Sequence, residues 1–441
     1  MSKEGKKSNV LGNMLLAAQE KFGERSYMGK DCELYLTGFP FRHLSLRWLF
    51  DSNVFPVGKL IRIYGLPRQQ KSTLSYEFMR LFAEAGCDAM GYVENEAGKY
   101  SPSLFQSFLR DLAVMVIHSK TTQEAQMALN MMKKEIQKGY PGRDHLSCLV
   151  LDSLNGTSAD SKHEQLNKED HMTKSYPEEA NLWSQFLQTF TAELLGWPIT
   201  LIMTNHLKKD VSGDGKPQFG GPKMRTPGGD AQHFHSAVDI RVARDQDFKP
   251  FQTLSYQGQV ITRTHNRLRM YLKTDKSSIG SDNQRVTVNM IFWNDDNNQQ
   301  VTFFDWWGAD AALLHAMEAG GERSPSIGNR KALADICDVD VSRGLYTSKT
   351  LNLKGVTDHE FGWELQKHPD MLEALSKVCG VKNHPIFDGK MPEAIEQAAK
   401  RKKKAEQQAV DLITVAEKAK SPLDAYEGQV SAPKGRASAD I

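Results

Sequence analysis

Cysteine is scarce in this chain, with only Cys32, Cys87, Cys148, Cys337 and Cys379 in 441 residues. None stands at C-x-x-C spacing or at a metal-ligand spacing from histidine, which argues against structural zinc and a disulfide framework and suits a reducing compartment. Long apolar runs are missing too. No stretch of 18 or more apolar residues occurs, so no segment is built to cross a bilayer as a helix. The opening MSKEGKKSNV is polar and lacks the apolar core of a secretory signal. These absences lead to the expectation of a cytoplasmic protein with no membrane partner. Charge of one sign is likewise lacking, because 56 Lys+Arg against 54 Asp+Glu leave a net +2. A nucleic-acid binder with that balance must segregate its basic residues locally. The useful question is where the lysines and arginines sit.

What remains is an ordinary globular composition, 39% hydrophobic and 25% charged. The length suffices for one large α/β core plus smaller appendages. Residues 8–22 place Val10, Leu11, Met14, Leu15, Ala18 and Phe22 at helical spacing. This amphipathic helix either packs on its own core or docks on a neighbouring subunit. From about residue 57 strands and helices alternate. KLIRIYGLP, CDAMGYVEN, AVMVIHS, LSCLVLDSL and PITLIMTNH read as strands. STLSYEFMRLFAEAG, PSLFQSFLRDL, TTQEAQMALNMMKKEIQKG and NLWSQFLQTFTAELLGW read as the helices between them. Apolar strands separated by helices of this length predict a parallel doubly wound sheet. SAVDIRVAR, RLRMYLKT and RVTVNMIFW add strands expected to be antiparallel at the sheet edge. After about 310 the pattern turns helical, and 392–420 is a polar helical pattern carrying Lys400, Arg401, Lys402, Lys403 and Lys404. The last residues read as disordered. The expected division is 1–55, an N-terminal helix and oligomerisation segment; 56–310, the core; 311–390, a small helical C-terminal domain; and 391–441, a polar helix and tail.

Two polar stretches, 156–179 and 208–232, exceed the usual length of connections in compact domains, and such loops are commonly functional. The second is rich in Gly, Pro and basic residues, which suits a cationic loop; its alternative is a surface insertion.

The strongest single motif is Gly65-Leu66-Pro67-Arg68-Gln69-Gln70-Lys71-Ser72. It follows a strand, opens a helix, and has the frame G-x-x-x-x-G-K-[ST] of a nucleotide P-loop, with Gln70 where the second glycine belongs. Such a loop cradles phosphate with backbone N–H groups and the helix N-terminus, while the lysine reaches the β/γ-phosphates and the hydroxyl holds Mg2+. Asp152 ends the apolar strand LSCLVLDS, and Glu94 and Glu96 end GYVENE. In a parallel sheet these ends converge on one edge with the phosphate loop. A glutamate there can activate the water that attacks the γ-phosphate.

This order of parts resembles the RecA-family recombinases, and within them the bacteriophage UvsX type. The likeness runs from about residue 35 to 310, with a weaker echo beyond. Bacterial RecA proteins keep the second glycine of the loop, whereas the UvsX type carries a bulky residue before Lys-Ser, as Gln70-Lys71-Ser72 does here. The resemblance implies a RecA-like ATPase core that uses ATP and Mg2+. Gly65, Gln70, Lys71, Ser72 and Thr73 then form the nucleotide loop, Lys71 and Glu96 are catalytic, and Ser72 and Asp152 serve the metal. His206, in the Asn205-His206 strand end, corresponds to the γ-phosphate-sensing position. Lys273 and Lys276 correspond to lysines that reach ATP from the neighbouring subunit, although the chain reads Lys276-Ser277-Ser278 where relatives continue Lys-Ser-Arg. Thr226-Pro227-Gly228-Gly229-Asp230-Ala231 is similar to the turn closing the family's second DNA-binding loop. Lys208, Lys209, Lys216, Lys223, Arg225, Gly228 and Gly229 are thereby implied to bind DNA. For stacking adenine the chain offers Tyr100, Leu104 or Phe105. The basic run 400–404 is either a solvated helix face or a further DNA contact.

The resemblance implies a filament on single-stranded DNA that pairs it with homologous double-stranded DNA and exchanges strands, assisted by single-strand-binding and mediator proteins. If phage-encoded, it would act in the cytoplasm of an infected bacterium. A RecA-fold hexameric helicase and a non-hydrolysing recombination mediator are the alternatives.

Overall fold

The computed structural model describes residues 37–87, 89–96, 101–109, 112–141, 145–154, 177–194, 196–209, 224–226, 230–251, 254–256, 259–261, 264–295, 298–319 and 327–387. The expected helix at 8–22, most of the 156–179 loop, Lys216, Lys223, Gly228, Gly229, Tyr100 and the segment 391–441 lie outside the described residues.

The apolar runs become strands and the amphipathic runs become helices, in the order β1 (Leu60–Gly65), α1 (Lys71–Glu84), β2 (Ala89–Glu94), α2 (Pro102–Leu109), β3 (Val114–His118), α3 (Thr122–Gly139), β4 (Ser147–Asp152), α4 (Pro177–Leu194), β5 (Ile199–His206) and β6 (Val238–Arg244). They continue as β7 (Lys249–Phe251), β8 (His265–Ser277), β9 (Arg285–Asn294), β10 (Gln300–Asp305) and α5 (Trp306–Ala319). These ten strands form one sheet in the order β10-β9-β8-β6-β1-β5-β4-β2-β3, with β7 on the flank of β8. From β6 to β3 every pairing is parallel. All six residues of β1 are buried, as are seven of the eight of β5, as expected of strands covered on both faces. Leu129 and Met132 of α3 and Trp183 and Leu187 of α4 pack with Leu149 and Leu201 of the sheet.

One topological expectation is corrected. Val238–Arg244 is not an antiparallel edge strand; it lies inside the sheet, parallel to β1 and antiparallel to β8. The preceding segment, 207–237, is long enough for the crossover that a parallel neighbour requires. β8 and β9 are antiparallel, as their sequences suggested, and β10, which the sequence reading did not single out, extends the antiparallel edge.

The region after 310 is also less purely helical than its composition implied. Helices Ile327–Ile336, Asp358–Leu365 and Pro369–Val378 are joined by a three-stranded antiparallel sheet of Asp340–Ser342, Leu345–Ser348 and Leu353–Val356. Its first turn is Arg343-Gly344, both at positive φ (54° and 78°), the backbone that a two-residue hairpin demands. Leu44, on the helix Leu44–Phe50, shares a core with Leu314 of α5 and with Phe361 and Leu375 of the later helices. Residues 33–390 form one compact unit.

Candidate active site

The site is built where β1, β5, β4 and β2 end side by side. Gly65 is in register with His206 across β1 and β5, and Glu94 with Asp152 across β2 and β4. Leu207 N–H donates to Gly65 O at 2.8 Å, which closes the β1–β5 seam. Gly65 cannot carry a side chain, because a Cβ there would meet Val242 O at 2.4 Å.

The loop leaving Gly65 takes two residues through left-handed backbone, Arg68 and Gln70, each at φ 63°. The chain thus keeps at position 70 the conformation that glycine adopts without strain, while using glutamine. Gln70 Oε1 accepts from Thr73 Oγ1 at 2.7 Å, a bond that glycine could not make. Lys71 is 5% exposed and its Nζ donates to Leu66 O at 2.9 Å, so its ammonium lies under its own loop. Ser72 follows in the first turn of α1, whose leading N–H groups have no partner within the helix.

Three further strand ends meet around the carboxylates. Asp152 Oδ2 accepts from Tyr92 Oη at 2.5 Å, and Oδ1 accepts from the Thr204 hydroxyl. Burial, and then the adjacent Asp152 carboxylate, pushes the Tyr92 hydroxyl well above its ordinary pKa, so it stays a donor. Glu96 Oε1 accepts from Ser153 Oγ at 2.5 Å and lies 2.5 Å from His206 Nε2. Glu94, by contrast, is turned to His118, with Oε2 2.8 Å from Nδ1. Glu96 and His206 are therefore in direct contact, two residues beyond the end of β2 and at the end of β5.

His206 Nδ1 is buried without a hydrogen-bond partner among the described residues, and a phosphate oxygen or bound water is what satisfies such an atom. The donor set is an ammonium, two hydroxyls, two carboxylates and an imidazole. Its chemistry fits a magnesium nucleotide, for which Ser72 and Asp152 would be the hard oxygen donors.

The Asn205-His206 end also reaches the second loop. Asn205 Nδ2 donates to Gln232 Oε1, and Asn205 Oδ1 accepts from His206 N at 2.7 Å. Gln232 is fully buried on the short helix Ala231–His235. At its root the loop is a ribbon, Lys208–Lys209 paired antiparallel with Met224–Arg225, so 208–232 is not irregular from end to end. Lys208 is exposed. Beneath the loop, Arg62 donates from Nε to Asp239 Oδ1 at 2.9 Å and from Nη2 to Oδ2 at 2.6 Å, and reaches Thr226 Oγ1 at 3.3 Å.

The two lysines expected to serve a neighbour's nucleotide both lie on β8. Lys276 Nζ donates to the carbonyls of Phe234 (3.0 Å), Ser236 (2.7 Å) and His233, and burial lowers its pKa. Lys273 pairs with Asp275, which also accepts from the Tyr64 hydroxyl. Of the adenine candidates, Phe105 is 7% exposed and packs on Tyr76 and Tyr92 at 5.2 and 5.7 Å. It belongs to the core rather than to an open stacking face. Reading the sequence did not single out Asn95, Ser153, Tyr92, Thr204, Gln232 or Arg62; only the GYVENE pattern hinted at Asn95, as an amide between two strand-end carboxylates.

A mainly parallel sheet flanked by helices, with a phosphate-type loop and carboxylates at its strand ends, defines a RecA-like α/β ATPase core. The comparisons agree. The chain is 24% identical over 260 residues to the RecA protein of Mycoplasma mobile, covering 58% of this chain and 72% of that one. It is 21% identical over 417 residues to RecA of Lactobacillus acidophilus, covering 93% and 98%. With RecA of Frankia alni it shares 25% over 249 residues, 55% of this chain and 66% of that one. No family model matches the chain. These distant homologues support a RecA-family recombinase.

Proposed function

We propose that the chain is an ATP-dependent homologous recombination protein of the UvsX type. It would form filaments on single-stranded DNA and catalyse pairing and strand exchange with homologous duplex. The observation that supports this reading most directly is the meeting of Glu96 and His206 beside the loop bearing Lys71 and Ser72, in a chain related along its length to RecA of Lactobacillus acidophilus.

In this reading Gly65, Gln70, Lys71, Ser72 and Thr73 hold the triphosphate of ATP. Ser72 and Asp152 hold Mg2+, which supplies charge neutralisation at the phosphates. Glu96 orients and deprotonates the attacking water. His206 reads the γ-phosphate, and Asn205 links that strand end to Gln232 at the close of the second loop. The loop's cations, Lys208, Lys209, Lys216, Lys223 and Arg225, neutralise DNA phosphates, and Gly228 and Gly229 give its closing turn. Lys273 and Lys276 serve the nucleotide of an adjoining copy; Lys276 would have to leave the carbonyls it now caps. The division into an N-terminal oligomerisation segment, core, C-terminal domain and tail, and the mediator partners, belong to the same proposal.

The test is ATP turnover by the full chain with and without single-stranded DNA, together with electron microscopy of the complex. DNA-stimulated hydrolysis and helical filaments are expected, and Lys71→Ala should lower hydrolysis at least ~100-fold, the scale of losing one preorganised charge contact. Closed rings would favour a helicase, and DNA-bound protein without turnover a mediator. Wild-type turnover by Lys71→Ala would remove the site assignment.

A further inference from the structure

Asn95 stands between Glu94 and Glu96 and is completely buried. Its backbone N–H donates to Asp152 O at 2.7 Å. Its side-chain Nδ2 donates to Ser153 O at 2.9 Å, and its Oδ1 accepts from Ser119 Oγ at 2.9 Å. Ser119 in turn donates its backbone N–H to Glu94 O at 2.9 Å. One amide therefore ties together the ends of three neighbouring strands, β3, β2 and β4. A buried amide is costly unless its groups are bonded, and a strand end that needed only ladder bonds would take an apolar residue. The residue that follows is Glu96, whose Oε1 accepts from the hydroxyl of Ser153, itself fully buried. Asn95 thus grips the main chain of the same residue whose side chain holds the Glu96 carboxylate.

We propose that Asn95 is a positioning residue for nucleotide hydrolysis. It fixes where Glu96 leaves β2 relative to Ser153 at the end of β4, so that the carboxylate is already held in one orientation when it takes a proton from the water that attacks the γ-phosphate. Small displacements of a reacting group are expensive, since an error of about 1 Å can cost on the order of a hundredfold in rate, and rigid elements place such groups better than free loops. The proposal rests on the reading of Glu96 as the carboxylate that activates water.

The experiment is steady-state hydrolysis of ATP by the full chain on single-stranded DNA, with kcat and KM measured separately. Asn95→Ala should lower kcat roughly ten- to a hundredfold and move KM less than about twofold, because the phosphate loop is untouched. Ser153→Ala should act in the same direction. Each substitution is then repeated in a Glu96→Gln background. A residue that works through Glu96 has nothing left to position there, so the further change in kcat should stay under about twofold, the signature of coupled sites. A loss by the same factor in both backgrounds, or an unchanged kcat for Asn95→Ala, would overturn the proposal. If Asn95→Ala fails to fold by circular dichroism, Ser153→Ala decides by the same comparison. Full hydrolysis by Glu96→Gln alone would instead sink the assignment of Glu96, and the positioning role with it.

Discussion

At the scale of single residues, the site is held by conformations and pairs that tolerate few substitutes. Gln70 sits at φ 63°, ψ 33°, where a residue with a Cβ costs about 1–2 kcal/mol and a β-branched one more. The parent already carries the Cβ cost, so Gln70→Val should lower stability further by the added branching and the lost Thr73 bond, together on the order of 1 kcal/mol in urea unfolding. Gln70→Gly should stay within about 1 kcal/mol of the parent, since relief of strain offsets the lost bond to Thr73. Arg62 and Asp239 form a bidentate pair with side chains only 4% and 0% exposed. Arg62→Met takes the guanidinium from that buried carboxylate and leaves it only the Ser236 hydroxyl and the His233 ring, which should cost up to about 3–5 kcal/mol by the same measurement. Adding Asp239→Leu should recover most of the loss, because the penalty belongs to the unpaired charge rather than to the missing pair. From sequence, Lys71, Ser72, Asp152 and Glu96 could be singled out because a motif or a strand end marks them. Arg62 could not, as one arginine in an apolar strand has no visible partner until Asp239 is brought beside it.

At the scale of elements, strands and helices of the parallel half were legible because their periods are clean. Thr121 begins α3 as its sequence implied, its hydroxyl accepting from Glu124 N at 3.2 Å. The small sheet over 340–356 was not legible, since its strands are three or four residues long and too short to show an alternation. That sheet adjoins Glu318, near the end of α5, whose Oε2 accepts from Val339 N at 3.3 Å. Burial raises the Glu318 pKa from 4.5 to about 7, with the Val339 bond opposing and the Asp338 charge adding to the rise. Between those two values the folded chain holds a proton that the unfolded chain releases, so this group's contribution to stability is lost as pH rises through the window. Glu318→Gln should flatten that part of the slope between about pH 4.5 and pH 7, and should raise the urea midpoint at the alkaline end. An unchanged pH profile would show that the carboxyl titrates normally.

At the scale of the whole molecule, the proposed function requires charge that is concentrated locally, the net being only +2. If the 208–232 loop binds DNA as proposed, replacing Lys208, Lys209, Lys216, Lys223 or Arg225 by alanine should weaken binding almost equally for all sequences. Each replacement should reduce the slope of log affinity against log salt by about 1, measured by fluorescence anisotropy with a labelled single strand. A slope that does not move would place the DNA elsewhere, with the basic run 400–404 as the next segment to test.

What the sequence determined by itself was local: which runs are apolar on every face, where helices start, and which loop has the frame of a phosphate cradle. Those properties follow from periodicity and from residues within a few positions of one another. Tertiary structure decided what no such window contains. It set β6 parallel inside the sheet, put His206 against a glutamate 110 positions earlier, and enclosed an arginine with its aspartate. Strand order is fixed by crossovers and by burial of side chains from distant segments, and only that order determines which polar groups must share one edge.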